Sequence, residues 1–341
     1  MRVASFLLSA AGLFIVIILM NTAFGYSVVE LFRDNFDGIV LDAEKWQCRD
    51  ANNSRISGTT QLRGCPIVNG GMLTITHHTY NPYEPNQTCL SQEIFTKQIF
   101  GPNQALEFEA RLRQRVPIGN GLVAGFYTYM DKVKSPQDAN RVNDEIDFEF
   151  LTNQINDPYP AFEGDRVYVS LYNDFDGNWL NALKHWRANP NVPPINLGDR
   201  PLLNLTQFNI FKIRWLGDRV EWYWDPNDGK GDILIYKTSN AMPDESMVLY
   251  FNFWAADEFW PIAWDENLTP ASRPEDDAVS YYDVDYVVVK NILPSDCNEV
   301  LALGKGLSTD YNKDCVVNFA DFAFFADNWL KCNNPEDQNC N

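Results

Sequence analysis

Short runs rich in Val, Ile, Phe, Tyr and Trp recur from residue 26 to residue 290, separated by clusters of Gly, Pro, Asn and Asp. Runs of this length bounded by turn formers predict β-strands. They fall at 72–77, 105–113, 122–129, 144–151, 166–172, 208–215, 219–225, 247–253 and 281–290. Leu216, Gly217 and Asp218 separate two of the runs and predict a hairpin. No alternation of strand and helix patterns occurs, so the chain predicts an all-β sandwich rather than a parallel sheet. Two long connections, 130–143 and 173–206, interrupt the pattern. Long connections in compact domains are often functional.

One run departs from the ordinary pattern. From Asp144 to Leu151 acid and apolar residues alternate with period two. On a strand, Glu145, Asp147 and Glu149 project from one face, and Ile146, Phe148 and Phe150 from the other. Acids are depleted in strands and like charges at this spacing repel, so a merely half-buried strand is better served by Thr, Ser or Lys. Glycoside hydrolysis with retention gives the spacing a purpose, because it needs two carboxyl groups roughly 5–5.5 Å apart. Residues i and i+4 on a strand have Cα atoms roughly 13 Å apart, a gap that two Glu side chains leaning toward a sugar largely cover. Glu145 reads as nucleophile and Glu149 as acid/base. Asp147, too short to reach the same point, reads as a helper that shares a proton with a neighbouring Glu. The alternative is an acidic strand facing solvent.

The octet 144–151 resembles the active-site strand of glycoside hydrolase family 16, in the unbulged form of its lichenases and xyloglucan endotransglycosylases. Further segments extend the resemblance over about residues 30–291, among them 32–38, 69–76, 211–215, 220–224 and 285–290. It implies a β-jelly-roll of the concanavalin A-like type, a retaining mechanism and the three roles just given. It also implies substrate contacts from Glu93, Asn252 and Trp254, and from either Phe126 or Tyr127, since only one of two adjacent strand residues can face the substrate. Trp254 alternates with Asn252, as a stacking platform beside a polar contact requires; core packing is the alternative. Two positions depart from the pattern. Asn143 stands where lichenases carry Trp, and Phe95 stands where an Arg often follows the cleft Glu. Both touch substrate linkage rather than the chemistry. A β-1,3- or mixed β-1,3/1,4-glucan is the expected substrate; transglycosylation, galactan hydrolysis and non-catalytic polysaccharide binding are the rivals. No cofactor is expected for catalysis. In the connection 173–206, Trp179 and Trp186 are candidate sugar platforms or anchors of the loop.

Composition narrows the setting. The 341 residues are 45% hydrophobic and 14% aromatic, with ten Trp, enough for one large β domain and a small one. The net charge of −19 argues against nucleic acid as a partner. Arg2 followed by the apolar run 6–20 and the small residues Ala23 and Gly25 reads as a secretory signal over 1–25, with an uncleaved anchor as the alternative. The expected location is secreted or extracellular, with attachment at the cell surface open. Seven Cys in an exported chain suggest disulfides; connectivity is not legible, and the family resemblance favours Cys65–Cys89. The three His offer neither a metal triad nor a catalytic one.

The expected domains are 26–293 for the jelly roll and 294–341 for a small α-helical calcium-binding module. Asp310, Asn312, Asp314, Val316, Asn318 and Asp321 occupy positions 1, 3, 5, 7, 9 and 12 of a Ca²⁺ loop, with Val316 contributing its carbonyl. The apolar residues 322–330 continue as a helix. This resembles one repeat of a dockerin, where two are usual. It implies structural Ca²⁺ and a cohesin-like or cell-surface partner, with disulfides among Cys297, Cys315, Cys332 and Cys340 stapling a small unit.

Overall fold

A computed structural model describes residues 18–20, 27–50, 55–116, 119–135, 138–155, 166–175, 199–240 and 242–328. They form a β-jelly-roll of two facing sheets, with short helices at Cys297–Ala302 and Phe319–Asn328. The six-stranded sheet runs in the order Tyr168–Phe175, Asp138–Leu151, Leu122–Ser135, Val248–Ala255, Glu93–Thr96, Trp46–Cys48. The twelve-stranded sheet is centred on Leu106–Arg115 and Val279–Leu293, with the predicted hairpin Asn209–Trp215 and Val220–Asp225 at one side. Ile18–Met20 pairs with the start of Ser27–Asp34; the rest of the apolar N-terminal run lies outside the described residues. No helix among the described residues is long and apolar enough to cross a membrane.

The period-two alternation builds the core. Ile146, Phe148 and Phe150 are fully buried between the sheets. Phe126 stacks on Phe148 and Phe251 at 6.2 and 5.3 Å, and Phe211 of the opposite sheet packs on Phe148 and Phe150 at 5.2 and 4.8 Å. Two buried hydrogen bonds fix the acidic strand to the larger sheet. Trp222 Nε1 donates to the Asp147 carbonyl at 2.9 Å, and Gln114 Nε2 to the Phe150 carbonyl at 2.8 Å. Buried backbone acceptors of this kind are costly to leave unpaired, so these bonds also define how the sheets face each other.

The predicted strands are present, with one enlargement. The segment 130–143 is not a loop: the acidic strand begins at Asp138 and pairs with Leu122–Ser135 almost to its end. Backbone pairing needs no apolar alternation, so the polar stretch concealed it. The expected Cys65–Cys89 bridge is also absent. Cys48 bonds Cys65, with Cα atoms 5.3 Å apart, well inside the range a disulfide needs. Cys89 is a free thiol, 1% exposed, and burial pushes its pKa up to about 12. Its strand, Cys89–Ser91, turns it into the core, away from Cys65.

At the C-terminal end, Asp296 caps the helix Cys297–Ala302 by accepting from Glu299 N at 2.9 Å. Leu303 then packs against Ala105, Leu216 and Ile292 of the sandwich. Gly217 N donates to the Leu303 carbonyl at 3.0 Å, and Gly304 lies so close to Asp218 that a Cβ would collide with it. The same helix is joined to the following loop by Cys297–Cys315.

Candidate active site

The register of the six-stranded sheet assembles the site. Residues directly opposite one another share a face. Glu149 lies opposite Gly125, Gly125 opposite Asn252, and Asn252 opposite Glu93, a row across four strands. One step along, Ser170, Asp147, Tyr127, Tyr250 and Phe95 form a second row. Tyr172, Glu145 and Tyr129 form a third. All stand on the face turned away from the core. Gly125 is required where it is, because a Cβ there would run into Asn252 Oδ1 and the Tyr127 ring. Its missing side chain lets Asn252 and Tyr127 close in over the strand beside Glu149.

Hydrogen bonds tie the rows together. Ser170 Oγ lies 2.6 Å from Asp147 Oδ2 and 3.2 Å from Glu149 Oε2. Asn143 Nδ2 donates to Glu145 Oε2 at 3.0 Å. Glu93 accepts from Tyr127 OH at 2.8 Å, from Asn252 Nδ2 at 3.1 Å and from Arg49 Nε at 2.7 Å. Phe95, Tyr250 and Tyr127 stack in sequence at 5.0 and 4.9 Å.

The electrostatics set Asp147 and Glu145 apart from ordinary acids. Burial, then the charges of Glu145 and Glu149, hold the Asp147 carboxyl well above its usual range. Burial and the charge of Glu149 also push Glu145 up, while its hydrogen bond with Asp147 pulls it back down. The two carboxyls therefore titrate as a pair, and the protonated form is favoured on both relative to an ordinary acid. Asp147 Oδ1 is buried and has no hydrogen-bond partner among the described residues. Among the described residues no Lys or Arg forms an ion pair with either group. Two neighbouring carboxyls, one protonated and one ionised, can divide the roles of proton holder and nucleophile.

Of the residues singled out in the sequence, Glu93, Tyr127, Asn143, Glu145, Asp147, Glu149 and Asn252 come together on this face. Tyr127 faces the site and Phe126 faces the core, which resolves the choice between them. Trp254 lies one step beyond Asn252, half-buried and stacked on Trp260 at 5.8 Å. Trp179 and Trp186 lie outside the described residues. Ser170, Tyr172, Tyr250, Gly125 and Arg49 were not anticipated. The Tyr168, Ser170, Tyr172 alternation on a predicted strand was a usable signal for the first two. Arg49 had none, because its place depends on a long-range pairing.

The loop from Asp310 to Asp321 has part of what Ca²⁺ needs. Cys315, at the sixth position, adopts φ 65°, the left-handed turn usually assigned to Gly there. Asp310 accepts from Asp314 N and Cys315 N, and Asp321 from Tyr311 N and Asn318 N. The backbone turn and the oxygen-rich donor set fit the ion. The acidic side chains, however, are turned onto backbone amides, and among the described residues no three acids, His or Cys converge as a metal cage.

The fold and the acid row define a glycan-active jelly roll, a glycoside hydrolase whose substrate class is polysaccharide. The particular family follows from a direct match: residues 95–273, just over half of the chain, fit the model for glycosyl hydrolases family 16, and the chain belongs to it. Similar solved structures include a prokaryotic β-1,3-1,4-glucanase (lichenase) from a mouse hindgut metagenome, 18% identical, with TM-score 0.50 over 77% of this chain and 98% of that one. The endo-β-1,3-glucanase of Pyrococcus furiosus is 19% identical, with TM-score 0.52 over 80% of this chain and 97% of that one. A laminarinase from Flavobacterium sp. UMI-01 is 18% identical, with TM-score 0.50 over 76% and 99%. At these identities the likeness is one of fold. No curated protein matches the sequence.

Proposed function

We propose that the protein is an exported endo-β-glucanase that cleaves internal β-1,3- or mixed β-1,3/1,4-glucosidic bonds with retention of configuration. The observation that carries this is the placement of Glu145 and Glu149 on one open face, on either side of Asp147, whose carboxyl burial holds above its usual range. Glu149 protonates the glycosidic oxygen as Glu145 attacks the anomeric carbon. Water, deprotonated by Glu149, then releases the glycosyl-enzyme. Asp147 holds its proton against Glu145 and steadies that carboxylate. Tyr127, Asn252 and Glu93 offer polar contacts to the sugar hydroxyls, and Trp254 an apolar ring face. The glucanase neighbours support the substrate choice, and the two disulfides support an oxidising destination.

The test is the release of new reducing ends from a panel of neutral and sulfated polysaccharides, with Glu145→Ala alongside. Cleavage of a β-glucan lost in the variant, with the β-anomer formed first by NMR, is the expected result. Cleavage only of a galactan would overturn the substrate, and α-anomer first would overturn the mechanism.

We also propose that the Asp310–Asp321 loop takes up structural Ca²⁺ once Asp310 and Asp321 rotate off the backbone amides. No step of the reaction passes through it. The exposed Val316, Phe319, Phe322 and Phe324 beside it form the surface on which a cohesin-like or cell-surface partner would dock. Calorimetric titration of the full chain with Ca²⁺, set against Asp310→Ala, decides the first part: no heat in the parent chain sinks it.

A further inference from the structure

We propose that Arg49 is a substrate-positioning residue, held in place by the Cys48–Cys65 disulfide, that aligns the polar contacts at the far end of the site. The inference rests on the glucanase reading and names a part of the site that the sequence did not suggest. The position two residues after Glu93 is Phe95, so no guanidinium comes from that strand. It comes instead from the neighbouring one. Trp46–Cys48 pairs with Glu93–Thr96, Cys48 opposite Ile94, and Arg49 N continues the ladder by donating to the Glu93 carbonyl at 2.9 Å. Arg49 thereby extends the row Glu149, Gly125, Asn252, Glu93 by one more strand.

Among the described residues its side chain is bonded on one side only. Nε donates to Glu93 Oε1 at 2.7 Å, and the guanidinium carbon lies 5.8 Å over the Phe95 ring. The side chain is 38% exposed, while Glu93 is 3% exposed. Among the described residues its terminal nitrogens have no hydrogen-bond partner, which leaves a planar pair of donors for vicinal sugar hydroxyls. On the other oxygen, Glu93 accepts from both Tyr127 and Asn252. Removing Arg49 would leave a nearly buried carboxylate without its cation, and that carboxylate is what holds Tyr127 and Asn252.

The disulfide frames this pair from both sides. Cys48 precedes Arg49, and the Cys65 carbonyl accepts from Gln92 Nε2, next to Glu93, at 3.0 Å. The bridge thus joins the residue before Arg49 to the chain that Gln92, next to Glu93, is bonded to. Glu93 stands three strand spacings from Glu149, about 14 Å at about 4.8 Å each. A sugar held there is not one of the two joined by the bond being cut. Its loss belongs in KM, and it grows with the length of the substrate.

The experiment compares the full chain with Arg49→Met, Arg49→Lys and the double substitution Cys48→Ser/Cys65→Ser. Turnover is measured on a mixed-linkage β-glucan and on an aryl disaccharide of the same linkage. The expected result is a KM on the polymer raised about tenfold in Arg49→Met, with kcat within about twofold, partial rescue in Arg49→Lys, and a smaller shift in the same direction for the disulfide variant. A fall in kcat with KM unmoved, or an equal loss on polymer and disaccharide, overturns the proposal. So does an unaltered KM. A second arm is independent of turnover: calorimetric binding of a β-1,3/1,4-linked glucan hexasaccharide to Glu145→Gln, with and without Arg49→Met. Weakening by about tenfold supports the contact, and equal affinities overturn it. If the parent chain cleaves nothing but binds through Arg49, the hydrolase reading fails and this one stands.

Discussion

The larger sheet and the acid row of the smaller one treat buried acids in opposite ways. On the outward face of the larger sheet, Asp283 is fully buried but receives Arg113 Nε at 3.0 Å, Arg115 and Thr74 Oγ1. Glu107 receives Arg214 at 2.7 Å and Lys290 at 3.0 Å. Burial pushes Glu107 up, but Lys290, Arg214 and Lys212 outweigh it and hold its pKa down to about 2. On the open face of the smaller sheet, Asp147 and Glu145 are given a hydroxyl, an amide and each other, and they hold on to a proton. A paired acid is a fixed charge that ties strands together. An unpaired one is kept reactive at a cost to the fold.

Substitutions that remove the charge separate the two. The largest effect is expected from Glu145→Gln, a loss of activity on the order of 10⁴-fold with the fold intact, read as reducing ends released and by circular dichroism. Asp283→Ala should do the reverse, leaving two arginines without their anion. Because both reach solvent, the cost sits at the low end for a broken buried pair, about 3 kcal/mol by denaturant titration. Equal activity losses in the two variants would erase the distinction.

The pH dependence sharpens it. Glu107 has a folded pKa below its unfolded one, so its contribution is present above about pH 4.5 and lost as pH falls toward 2. Glu107→Gln should therefore cost about 2 kcal/mol at pH 7, a gap that narrows in acid. The Asp147–Glu145 pair has the opposite sign. Its folded pKa lies above the unfolded one, so the folded state binds the extra proton and loses stability as pH rises. Asp147→Asn should raise stability at pH 8, with the gain shrinking toward pH 4. The same variant should move the acid limb of kcat/KM to higher pH, since the hydrogen bond from Asp147 that favours ionised Glu145 is weakened. A limb that stays put would place the proton elsewhere.

How much of this could be read beforehand follows the range of the interactions. The acid row was legible because side-chain direction on a strand is local, and Glu145, Asp147 and Glu149 needed only the period of two. The core face, with Phe148 and Phe150, came with it. Asn143 was visible as a departure, but not that its amide would meet Glu145. The Arg49–Glu93 pair and the Cys48–Cys65 bridge were not legible, since both depend on which strand lies beside Glu93–Thr96, and periodicity carries no such information. Gly125 was hidden for a similar reason: its value lies in the space it leaves between residues far apart in sequence.

The turn at Leu303 and Gly304 bears on how such a chain could be recombined. By composition the break falls after Leu293 and Pro294. Yet a cut there would uncover Ala105, Leu216 and Ile292, which Leu303 covers, and would take away the partner of Gly217 N. The unit that could be exchanged between chains without wounding the sandwich therefore starts after Gly304. The helix Cys297–Ala302 would travel with the enzyme and carry Cys297 as a ready attachment point for whatever loop is grafted next.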